Sequence, residues 1–130
     1  MATVTAKLTL TSADLLSQNL NISVSKSATA SHTTGLARKK VAQTAVHASA
    51  ALLYTADDYA AIAYIYIKNT DTTATNYVYV YNDTTSGDPV ILKLAGGEWA
   101  FMPTIADKTL KAYGTNANTV VESMVFGTDQ

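Results

Sequence analysis

The chain has no cysteine among its 130 residues. Disulfide staples, a thiolate nucleophile and a cysteine metal site are therefore excluded. Charge is scarce as well: only 15% of residues are Asp, Glu, Lys or Arg, against 48% hydrophobic. Ordinary globular domains carry about 25% charged residues, so this composition predicts surface that is buried against partners. Nine basic and ten acidic residues leave a net charge of −1, which favours neither nucleic acid nor an anionic membrane as a partner. No apolar run approaches the roughly 18 residues that a spanning helix needs. The longest, "AAIAYIYI", is short and rich in tyrosine. The opening "MATVTAKLTLTSADLL" lacks a basic start followed by an unbroken apolar region. The expectation is a chain that is cytoplasmic at synthesis, with no membrane anchor.

The residues of familiar active sites are also missing or badly spaced. The two histidines, His32 and His47, have no acidic residue at ligand spacing and read as surface side chains. No G-x-S-x-G elbow is present for a serine nucleophile. Gly96-Gly97 lacks the Lys-Ser/Thr that completes a phosphate loop and reads as a tight turn between strands. Asp57 and Asp58, adjacent in sequence, diverge in direction along an extended chain and make a poor carboxylate pair. Asp71, Asp83, Asp88 and Asp107 fall in expected turns without EF-hand order. "ARKK" at 37–40 is the one basic cluster and has no interleaved aromatics, so it reads as a solvated or partner-facing patch. No enzyme activity, cofactor or metal is expected.

What is present is strand pattern. "TVTAKLTLT" alternates Val4, Ala6, Leu8 and Leu10 with Thr3, Thr5, Lys7 and Thr9, the mark of a half-buried strand. "LNISVSKS" alternates again through Leu20, Ile22 and Val24. Between them "TSADLL" suits one helical turn capped by Thr11 or Ser12. A strand is expected near 40–47. Another follows in "SAALLY", with Ala50, Leu52 and Tyr54 facing one way. Further strands are predicted at 62–68, 76–82, 89–94, 99–102, 108–113 and 119–126, separated by linkers rich in Gly, Asn, Asp and Thr. Many short strands and no long amphipathic helix point to an all-β sandwich or barrel, and the expected fold is an antiparallel β-sandwich, jelly-roll-like. The chain reads as a single β domain over 1–130. Residues 1–59 supply N-terminal strands and a possible arm to a neighbour; 60–130 supply the better-specified sheet.

The stretch at 60–82 alternates in an unusual way. Ile62, Tyr64, Tyr66, then Tyr77, Tyr79 and Tyr81, occupy one set of alternate positions; Ala63, Ile65, Ile67, then Val78 and Val80, occupy the other. Its two halves are expected to pair as a hairpin, tyrosine against tyrosine, through the loop 69–75. Both faces are then apolar. The tyrosine face packs either on a second sheet of the same domain or on a partner, and Tyr is enriched at interfaces. Tyr64, Tyr66, Tyr77, Tyr79, Tyr81 and Trp99 are the candidate protein–protein surface. A homodimer or homotrimer is expected.

Three stretches carry a resemblance: "YIKN" at Tyr66–Asn69, "LAGGEWAFMP" at Leu94–Pro103 and "VESMVFG" at Val121–Gly127. With the opening "LTLTSADLLSQNLNISVSKS", they resemble small virion structural proteins of tailed bacteriophages, cyanophages among them. About half of the chain is covered. The resemblance implies a non-enzymatic virion role and carries over no catalytic residue. The resemblance does not separate head from tail; the expected role is a capsid decoration or cement protein on the outer head surface, bound to the major capsid protein or other virion proteins. A tail, neck or baseplate component is the alternative. A carbohydrate- or receptor-binding β module, with Trp99 as a stacking platform, is the reading from a different class.

Overall fold

The computed structural model describes residues 1–15, 17–41, 43, 50–56, 58–60, 62–83, 89–105 and 108–129. Among the described residues eleven strands run in chain order: β1 (Ala2–Ser12), β2 (Leu20–Ala30), β3 (His32–Thr33), β4 (Ala37–Lys40), β5 (Ala51–Tyr54), β6 (Ile62–Asn69), β7 (Val78–Asp83), β8 (Val90–Leu94), β9 (Trp99–Ile105), β10 (Thr109–Gly114) and β11 (Val120–Gly127). The fold is all-β, every strand pairing is antiparallel, and no helix occurs among the described residues. The contacts divide the chain into two units, Met1–Ala30 and Ser31–Gln130.

The first unit is one hairpin. β1 and β2 pair without interruption from Ala2↔Ala30 to Ser12↔Leu20. That register sets Val4 beside Ala28, Leu8 beside Val24 and Leu10 beside Ile22, all on one face. The other face carries Thr3, Thr5, Lys7, Thr9 and Thr11 opposite Thr29, Ser27, Ser25, Ser23 and Asn21. The alternation in the sequence is therefore a true strand signal. The half-burial expected from it does not follow: Leu8, Leu10, Ile22 and Val24 are 41%, 45%, 41% and 55% exposed. The helical turn expected in "TSADLL" does not begin: Thr11 and Ser12 end β1, and residues 13–15 form a bend. Ser12 Oγ accepts from the Leu15 amide at 3.1 Å, which satisfies the donor that a helix cap would have satisfied.

Among its described residues the second unit holds two sheets. One has the order β3-β11-β6-β9, with β4 also on β11; the other has the order β5-β10-β7-β8. Ala63, Ile65, Ile67, Val121 and Val125 of the first sheet join Leu53, Tyr54, Val78, Val80, Leu94, Leu110 and Ala112 of the second in one buried cluster. Val41 and Tyr59 complete it from the connections.

Several expectations are corrected here. The strands at 62–68 and 76–82 do not form a hairpin: β6 pairs with β9 and β11, and β7 pairs with β8 and β10. The linker 70–77 crosses between sheets. The physical reason is the Ile/Val face. Placing β6 and β7 in different sheets lets Ile65 and Ile67 share a core with Val78 and Val80, and Asn69 anchors the crossing through the Asn76 and Leu94 carbonyls. In β5 the expected face of Ala50, Leu52 and Tyr54 is broken by a register shift between Leu110 and Lys111. Leu53 and Tyr54 are both buried, and Leu52 is 42% exposed. Asp83 is a strand residue, paired to Lys111 at 2.6 Å, and not a turn residue. The strand expected near 40–47 falls largely on 42 and 44–49, outside the described residues, as do His47, Asp57, Asp88 and Asp107.

The turn read from Gly96-Gly97 joins β8 to β9, one strand in each sheet. Glu98 N donates to the Ala95 carbonyl at 3.0 Å. Gly97 takes a φ of +85°, a region open to glycine. Gly96 is needed for a different reason: a Cβ there would stand 2.3 Å from the Thr73 carbonyl oxygen.

Candidate functional site

The alternation of β6 assigns its two faces. Ala63, Ile65, Ile67 and Asn69 are fully buried. Tyr64, Tyr66 and Lys68 are partly exposed. The tyrosines thus lie on the outer face of their sheet, opposite the core. Pairing then fixes what stands beside them. Arg38, Glu122, Lys68 and Trp99 form one row across β4, β11, β6 and β9. Met124, Tyr66 and Phe101 form the next, and Phe126, Tyr64 and Pro103 the one after.

The rows are linked by rings and by charge. Tyr64 stacks on Phe126 with centroids 5.5 Å apart and on Phe101 at 6.1 Å. Such pairs contribute about 0.5–1.5 kcal/mol beyond area burial. Phe126 is 2% exposed, whereas Trp99, on the edge strand, is 55% exposed. Glu122 Oε1 accepts from the Tyr66 hydroxyl at 3.1 Å, and its Oε2 accepts from Arg38 Nε at 3.0 Å. The Arg38 guanidinium, and then the Tyr66 hydroxyl, hold the Glu122 carboxyl below its ordinary range. Tyr66 is pushed up by burial first and by that hydrogen bond second.

An open groove runs beside the charged row. Asn69, Thr70, Asp71, Thr72, Gly96 and Gly97 line it together with Arg38, Lys68 and Glu122. Asp71 is tied down within it. Its Oδ1 accepts from the Thr73 amide at 2.8 Å, and its Oδ2 accepts from Asn76 Nδ2 at 2.9 Å and from the Thr119 hydroxyl at 3.3 Å. The Thr73 amide contributes most to lowering its pKa.

Of the other candidates, Tyr79 and Tyr81 lie on β7 in the other sheet and Tyr77 immediately precedes it. Tyr79 stacks on Tyr113 at 5.1 Å, and Lys93 Nζ sits 3.9 Å above the Tyr77 ring. Tyr81, by contrast, is 2% exposed, and burial raises its pKa. The six candidate residues are therefore split. Tyr64, Tyr66 and Trp99 share one outer face, Tyr77 and Tyr79 belong to a second surface, and Tyr81 is enclosed. Arg38, Lys68, Phe101, Glu122 and Phe126 were missed by sequence reasoning as parts of the first face. Only Lys68 and Phe101 were within reach of it, because each continues the parity of a residue already singled out.

Among the described residues no three His, Asp or Glu side chains gather at metal-ligating distance. His32 packs edge-on against Tyr59 at 5.1 Å. Comparison with protein-family models, with curated proteins and with solved structures gives no match.

Proposed function

We propose that this chain is a non-enzymatic structural protein of a tailed-phage virion. Its work is to cement neighbouring capsomers from the outer surface of the head. A jelly-roll-like sandwich is the arrangement we propose for the two sheets of the second unit. The resemblance at Tyr66–Asn69, Leu94–Pro103 and Val121–Gly127 supports the virion class; a tail, neck or baseplate position shares that support. The partner is the major capsid protein or another virion protein, engaged by a dimer or trimer of this chain.

The observation that carries the reading is the hairpin of the first unit. A two-stranded sheet is marginal in water by itself, yet here it presents Leu8, Leu10, Ile22 and Val24 at 41–55% exposure. Its strands contain no proline and no bulge, and Lys7 and Lys26 are their only charges. Those are the usual protections of an exposed edge. A face about 37 Å long and about 10 Å wide is available, suited to lying along a joint between subunits. One such face is small beside the roughly 1,200 Å² of a stable interface, so binding would gain from many copies engaged at once.

The test replaces Leu8 and Val24 together by Asp and measures co-sedimentation with phage particles. The expected result is lost association with an unchanged near-ultraviolet dichroism from the second unit. Full particle binding by the double variant removes the support that the hairpin gives.

A further inference from the structure

The geometry points to a second binding site: we infer that the row Arg38–Glu122–Lys68–Trp99, with the groove beside it, binds an acidic saccharide. The inference does not rest on the virion reading.

Register places the parts. The four residues are direct cross-strand neighbours on adjacent strands. Strands lie about 4.8 Å apart, so Trp99 and Arg38 stand about 14 Å from each other along the row. That distance suits a short oligosaccharide and exceeds a single small anion. Trp99 ends the row on the edge strand at 55% exposure, and among the described residues no ring stacks on it. An indole offers a flat apolar face to the C–H side of a sugar ring and one N–H donor at its edge.

The hydrogen bonds already made define what the ligand must supply. Both oxygens of Glu122 have partners, in Tyr66 and Arg38. Both oxygens of Asp71 have partners, in Thr73, Asn76 and Thr119. The Asn69 amide is spent on the Asn76 and Leu94 carbonyls. The open capacity is therefore mostly donor. Among the described residues the Lys68 ammonium makes no hydrogen bond or short ion pair. The Arg38 side chain is 72% exposed, and its bonds to Glu122 use only Nε and one terminal nitrogen. A carboxylate or sulfate on the sugar matches these donors by charge-assisted hydrogen bonds.

The same charges select against a polyanion. Arg38 and Lys68 are balanced in the groove by Asp71 and Glu122, so there is no long-range field to gather a phosphate backbone. Recognition has to come from contact: one ring on the indole, hydroxyls along the groove, and one acidic group on Lys68, since Arg38 already holds Glu122. Few, well-placed polar groups beside an apolar face are how small-ligand sites obtain orientation.

Trp99 is the only tryptophan in the chain, so its emission reports this site alone. The experiment titrates the intact protein with a galacturonate trimer and with 3′-sialyllactose, using maltotriose as the neutral control. Binding is followed by tryptophan fluorescence and, independently, by calorimetry. The expected result is a saturable change with at least one acidic probe and a weaker or absent one with maltotriose. Lys68→Gln should weaken the acidic probe about tenfold and leave the circular dichroism unchanged. Trp99→Ala should abolish the calorimetric signal. No saturable binding of either acidic probe overturns the proposal, and so does equal binding of maltotriose or an unchanged affinity in Lys68→Gln.

Discussion

Asn69 Nδ2 donates to the Leu94 carbonyl at 3.1 Å, from the end of β6 in one sheet to the end of β8 in the other. The same nitrogen donates to the Asn76 carbonyl at 2.7 Å, and Oδ1 accepts from the Asp71 amide at 3.1 Å. The side chain is fully buried. This one amide thus replaces water for three backbone groups where the chain leaves one sheet for the next. Asn69→Leu fills similar space but deserts all three. A buried polar group left without a partner costs about 1–3 kcal/mol, so the variant should lose about 3 kcal/mol or more. Urea denaturation of the intact protein measures it; an unchanged midpoint would mean that the amide holds nothing together.

Neighbouring residues on β6 should respond very differently. Ile65 is fully buried in the cluster shared by both sheets, and Ile65→Ala should cost about 2–5 kcal/mol. Tyr66→Phe removes only the bond to Glu122 on the outer face and should cost about 1 kcal/mol. The same denaturation series compares them. A larger loss for the tyrosine would reverse the assignment of faces.

Stability should fall in acid through identifiable groups. The Arg38 guanidinium is the main cause that holds Glu122 below its ordinary value of 4.5, and the Thr73 amide is the main cause that holds Asp71 below 3.8. For a carboxyl depressed by folding, the unfolded chain takes up protons first. The contribution of each group is therefore complete above its unfolded value and is lost as pH falls through the lower, folded value. Stability followed downward from about pH 6 should begin to drop near the unfolded values and continue below them. Glu122→Gln should flatten part of that slope. An identical acid profile in the variant would remove Glu122 from the account.

Local chemistry made much of this fold legible. The pleat sends successive side chains to opposite faces, so the separation of Tyr64 and Tyr66 from Ile65 and Ile67 is written in residue order. The limits of β6 to β11 lie within a few residues of the sequence expectation, because Gly96-Gly97 and the Asn- and Asp-rich linkers mark where strands stop. The all-β class follows from the same periodicity.

What residue order could not carry is the choice of neighbour. Parity says that Ile65 and Val78 share a kind of face; it does not say whether β6 and β7 meet edge to edge or across a core. Asn69 decides that point together with the linker it anchors, through bonds to residues 7 and 25 positions away. The same holds for the row Arg38–Glu122–Lys68–Trp99, drawn from four strands spread over the chain. Tyr81 follows Tyr79 at the same spacing, yet it is enclosed while Tyr79 is not. A strand's alternation is a property of its own backbone. Its partners, and which of its faces stays in water, are set by distant segments competing for the same edges and the same apolar cover, and that competition is settled only in the tertiary structure.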